Sequence, residues 1–158
     1  SADAALAATG GALVPADAYH AHRIALGVPE GGRDFVFGDT FPHEALLDQL
    51  HGVSFTKGCF VGQEVVSRMQ HRGTARKRVV PVTGDQPLPV GPLPVLAGTV
   101  EIGCLGSAAG TRGLALLRLD RVAQAQRDGV AVTAGGVALR VELPAFATFR
   151  IEASHERA

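Results

Sequence analysis

The chain has 158 residues, 46% of them apolar, and its 15 Lys and Arg balance 15 Asp and Glu. That length holds one proper core or two small ones, and the apolar content with the balanced charge argues for a globular protein, against a disordered chain and a global polyanion binder. No apolar run is long enough to span a membrane, the first residues lack the basic segment of a secretory signal, and the two cysteines have no zinc-like spacing, so a reducing, cytoplasmic setting is expected.

The chain divides into unlike halves: residues 1–75 read as helices and loops, residues 76–158 as short strands. Asp3 to Ala8 is an alanine-rich helical stretch that stops at Thr9-Gly10-Gly11. Pro15 to Leu26 reads as a helix, with Pro15 in its first turn and Gly27 and Pro29 ending it. Glu30 to Asp34 is a turn-rich loop. Pro42 to Leu50 is expected to be a short helix with Leu46, Leu47 and Leu50 on one side. Gly62 to His71 is the next helix, with Val65, Val66 and Met69 on one face and Gly73 at its end.

From Arg76 the period changes. Arg78 to Val82 reads as a strand, placed at a sheet edge by Pro81. A Pro/Gly-rich connector runs from Gly84 to Pro94. Thr99 to Leu105 and Gly113 to Leu119 read as strands, and Arg121 to Arg127 as a short helix or turn. Val130 to Thr133 and Val137 to Leu143 flank Gly135-Gly136, a strong hairpin signal. Short strands at this spacing suggest a small barrel or a sandwich.

The most informative segment is Thr56-Lys57-Gly58-Cys59-Phe60-Val61-Gly62-Gln63-Glu64. It sets a thiol two residues after a lysine and just before a helix start, both of which favour the thiolate, and Gly58 and Gly62 let the backbone bend around it. Cys59 is then a nucleophile or a metal-cluster ligand, with Lys57 lowering its pKa and Glu64 organising the turn. The plain alternative is a small packed cysteine, with Glu64 capping the helix and Lys57 in solvent. Cys104, in an alternating stretch, reads as packing.

Arg68, His71, Arg72, Arg76, Lys77 and Arg78 form a basic cluster, suited either to phosphate, polyglutamate or an acidic partner, or to a merely solvated surface. Without Trp and with one Tyr, stacking platforms for nucleic acid are scarce, so direct RNA binding is the weaker expectation. His20, His22, His43 and His51 are too scattered to suggest a metal site. Asp34, Asp39 and Glu44 are weak acid/base candidates.

Thr56 to Glu64 resembles the KGCYxGQE signature of the YgfZ-type folate-binding proteins, relatives of the glycine-cleavage T protein, an aminomethyltransferase. The T-protein branch usually carries Asp where this chain has Cys59. Gly27 to Asp34, Gly52 to Phe55, Gly73, Arg76 to Arg78 and Gly113 to Leu117 resemble the sub-branch of mitochondrial-type iron–sulfur cluster assembly factors. Phe60 replaces the usual Tyr, and Ala25 stands where relatives often carry a carboxylate suited to a pterin.

The resemblance implies an α+β fold corresponding to the C-terminal portion of the family, which is roughly twice this length and has a further N-terminal domain. Residues 1–75 would be the tail of the folate-binding domain and 76–158 a small antiparallel β-barrel. It further implies an accessory protein for assembly or repair of 4Fe–4S proteins, acting through Cys59 with Lys57, on a turn made by Gly58, Phe60, Gly62, Gln63 and Glu64. Arg23 and Arg68 would contact a tetrahydrofolate derivative. Cys59 would share an iron–sulfur cluster with an A-type carrier or a client enzyme. The alternatives it carries are a tetrahydrofolate-dependent aminomethyltransferase and a factor associated with tRNA modification.

Overall fold

The computed structural model describes residues 5, 6, 8–59, 61–72 and 75–152, excepting the side chains of 71 and 72. Phe60 and Gly73, both expected to shape their turns, lie outside the described residues, as does part of the expected first helix.

Six antiparallel strands close into a barrel. In chain order they are β1 (Lys77–Gly84), β2 (Leu93–Ala97), β3 (Val100–Ala109), β4 (Arg112–Arg118), β5 (Val132–Ala134) and β6 (Val137–Val141). Around the barrel they run β1-β4-β3-β2-β5-β6, with β6 returning to β1 through the Val82–Val141 register. The helices are α1 (Ala16–Leu26), α2 (Gln63–Arg72) and α3 (Leu119–Asp128).

The apolar runs of β1 and β4 are buried on both faces, as unbroken runs require. Val80, Val82, Ala115 and Leu117 join Val95, Ile102 and Leu105 in the main core, to which α3 adds Leu119, Val122 and Ala125. On the opposite face of the same two strands, Val79 and Leu114 pack against Ile24 of α1. Alternating side chains thus separate the barrel core from the seat of α1.

Three expectations need correction. The strand over Arg78 to Val82 is not an edge, because β1 pairs with β4 on one side and β6 on the other. Pro81 is tolerated since its carbonyl accepts from Glu142 N–H at 2.9 Å just where the β6 ladder ends, so its missing N–H costs no interior rung. Pro42 to Leu50 is a run of turns, not a helix, because Leu46 adopts φ +62° and breaks the helical path. The strand expected to end at Leu105 continues to Ala109. It does so through a bulge, with Gly106 and Ser107 standing opposite Leu114 alone.

Candidate functional site

That bulge has a local consequence. Ser107 N–H, released from the ladder, donates to Asp34 Oδ1 at 2.7 Å. Asp34 Oδ2 accepts from Arg23 Nη1 at 2.6 Å and from Glu30 N–H at 2.9 Å. Arg23 also donates to the Val28 carbonyl at 3.2 Å and to Ser107 Oγ at 2.6 Å. Its Nε donates to His20 Nδ1 at 3.1 Å, with Glu30 Oε2 beside it as an ion contact at 3.1 Å. The Arg23 side chain is 4% exposed and that of Asp34 0%, so the pair is buried and must be matched to persist. The loop after α1 is thereby bolted to β3. A Cβ on Gly106 would stand 2.7 Å from Asp34 Cα, so the two backbones meet only because no side chain intervenes.

A second bolt holds the 41–52 turns. Arg78 donates to both carboxylate oxygens of Asp48, at 2.9 and 3.0 Å, and to the His43 carbonyl at 2.8 Å. The Phe149 ring lies 4.4 Å from its guanidinium carbon. Burial pushes the Asp48 carboxyl up, but hydrogen bonds from Arg78 and Gln49 and the Arg78 and His43 charges together take it below its ordinary value. Gln49 Oε1 in turn accepts from Thr148 N–H at 2.8 Å. The His43 ring, 1% exposed, meets Gln70 Oε1 of α2 through Nε2 at 3.1 Å, and Phe55 lies 6.0 Å from it between ring centroids.

His43 therefore stands between the segment that leads into the Cys59 turn and the helix that leaves it. On that turn Gly58 and Gly62 adopt φ +88° and +83°, and a Cβ on either would meet no atom within 4 Å. The glycines are required by backbone conformation alone. Cys59 itself is exposed. Lys57 is exposed beside it and Val61 is fully exposed, while Gln63 opens α2. Glu64 pairs with Arg68 one turn along the helix.

Cys104 contrasts with Cys59. It is half-buried on β3, and burial pushes its thiol up. A backbone hydrogen bond from Leu93 opposes that shift and the Glu101 charge adds to it. A thiol held protonated is a poor nucleophile and a poor ligand.

The structure also redistributes the expected basic cluster. Arg78 leaves it for the interior, while Arg68, Arg76 and Lys77 remain on the surface. Arg118, forty residues away in the chain, joins them along one groove. Strand pairing of Lys77 with Arg118 explains why local sequence could not reveal that neighbour. Ser107 was likewise missed, because it lies just past Gly106, where the strand was expected to have ended.

Residues 76–149 match the CAF17 C-terminal beta-barrel domain, a stretch that contains all six strands of the closed barrel. The chain also has the fold of part of the glycine cleavage system aminomethyltransferase T from Bartonella henselae. That match has TM-score 0.59 and 20% identity, and covers 79% of this chain and 37% of that one. An aminomethyltransferase-like α+β fold ending in this barrel is the class defined.

Within that class the chain is similar to the iron–sulfur cluster assembly factor IBA57, mitochondrial, of Homo sapiens. It is 42% identical over 109 residues, which are 66% of this chain and 31% of the human protein. The Mycosarcoma maydis homologue is 51% identical over 65 residues, 41% of this chain and 16% of that protein. The resemblance to iron–sulfur cluster assembly factors of the mitochondrial type is borne out, and this chain corresponds to a C-terminal portion of such proteins. No helix among the described residues is long and apolar enough to cross a membrane.

Proposed function

We propose that the chain is the thiol-bearing portion of a cytoplasmic accessory protein for assembly or repair of 4Fe–4S proteins, with Cys59 as its working residue. One observation carries this: Cys59 is exposed on a turn set by two positive-φ glycines, directly ahead of α2. A packed structural cysteine has no use for such presentation. The similarity to proteins named as iron–sulfur cluster assembly factors supports an iron–sulfur cluster as the cargo.

The described residues hold no group of three or more His, Cys, Asp and Glu suited to a metal. One thiolate supplies one ligand where an iron–sulfur cluster takes about four. The cluster is therefore cargo, held jointly by Cys59 and by thiols of a carrier of the A type or of a client enzyme. Replacing the gene by a Cys59→Ser allele should abolish maturation of 4Fe–4S enzymes, whereas Cys104→Ser should support it. Normal 4Fe–4S enzyme activity with Cys59→Ser would sink the proposal.

A tetrahydrofolate derivative is the second proposed ligand. This chain supplies little of such a site, since Arg23 is committed to Asp34 and Ser107 and Ala25 offers a pterin no carboxylate. Equilibrium dialysis of the full chain against tetrahydrofolate tests it, and absence of retention would remove folate from the account.

A further inference from the structure

Helix α2 presents Val65, Arg68 and Met69 to a groove of about 430 Å³. Phe41 and Glu44 line it from the 41–52 turns, and Arg76 and Lys77 from the start of β1. Two features of this groove are unmatched among the described residues. Phe41 is 46% and Val65 42% exposed, leaving apolar surface in water. Arg68 is answered by Glu64 and Arg118 by Asp120, but Arg76 and Lys77 have no ion-pair partner among the described residues. Glu44, the one carboxylate lining it among the described residues, is turned to its own loop, accepting from Phe41 N–H at 3.0 Å.

We propose that this groove docks an acidic segment of a partner protein, a run of carboxylates carrying an apolar side chain that covers Phe41, Val65 and Met69. Carboxylates answer Arg76 and Lys77, and the apolar side chain removes the exposed surface from water. A nucleic acid fits less well: the groove has one aromatic ring among the described residues, carries a carboxylate of its own, and belongs to a chain with as many acids as bases. The place is also apt. Helix α2 starts four residues after Cys59, and Arg68 lies about 7–8 Å further along its axis. A segment seated here holds its protein beside the thiol. The inference rests on the assembly role above only for which protein brings the segment.

The test uses the full chain and a labelled synthetic peptide of glutamates around a single leucine, followed by fluorescence anisotropy. Binding is expected, weakening as salt rises. The double variant Arg76→Glu, Lys77→Glu and the single variant Val65→Ser should each weaken it about tenfold or more. All three positions are exposed, so the variants should unfold at the wild-type temperature. Cys59→Ser should bind the peptide normally, which separates failure of the groove from failure of the cluster role. The proposal is overturned if the charge-reversed variant binds as tightly as wild type, if no peptide binds, or if a single-stranded RNA oligonucleotide binds these residues more tightly than the peptide.

Discussion

Arg23 and Asp34 are charged residues that the interior accepts because each completes the other. Asp34 collects Arg23, the Glu30 N–H and the Ser107 N–H, and with its side chain 0% exposed no water can stand in for a lost partner. Asp34→Ala should therefore cost about 3–5 kcal/mol in urea denaturation, the range for stripping one member of a buried pair. A cost under about 1 kcal/mol would mean the network is ornamental. Asp48 makes a pH prediction. Its carboxyl lies below its ordinary value of 3.8 when folded, so the folded state takes up that proton at lower pH than the unfolded chain. Its stabilising contribution is complete above pH 3.8 and is lost as pH falls through the folded value. The stability gap between wild type and Asp48→Asn should thus be constant near neutrality and shrink on acidification below that point. A gap that widens there would reverse the assigned sign.

Among the elements, α1 and the β5–β6 hairpin were legible in the sequence because their signals are local. Pro15 and Gly27 bracket the helix, and Gly135-Gly136 supplies the turn. Closure of β6 onto β1 was not legible, since it joins residues about sixty positions apart through the Val82–Val141 register and leaves no mark near Pro81 except one that imitates an edge. The turns at 42–50 misled for a similar reason. Their leucines follow helical spacing, yet Leu46 is held at φ +62° with its side chain wholly buried, so tertiary packing overrode local preference. The Cys59 turn was legible in its glycines but not in its neighbours: His43, which meets both Phe55 and Gln70, lies sixteen residues upstream. Because Gly62 adopts φ +83° with open space around it, Gly62→Ala should cost about 1 kcal/mol by backbone conformation alone. Gly62→Asn should cost less, as asparagine tolerates that region better. Equal costs in chemical denaturation would point to a steric cause instead.

At the scale of the molecule, the barrel is a platform on which two bolts fix the preceding half. Arg23–Asp34–Ser107 ties the loop after α1 to β3, and Arg78–Asp48 ties the 41–52 turns to β1. Through His43 and Gln70 the second bolt reaches α2, the helix that follows Cys59. The match to the human relative spans 31% of that protein's length. Exposed Cys59 and half-buried Cys104 make the central claim directly measurable. The full chain, mixed with a cluster-loaded A-type carrier, should form a joint cluster seen as a new visible circular-dichroism spectrum. Wild type and Cys104→Ser should both produce that spectrum, and Cys59→Ser should leave the carrier's own spectrum unchanged. The same new spectrum from Cys59→Ser would contradict the assignment of Cys59 as the residue that takes the cluster.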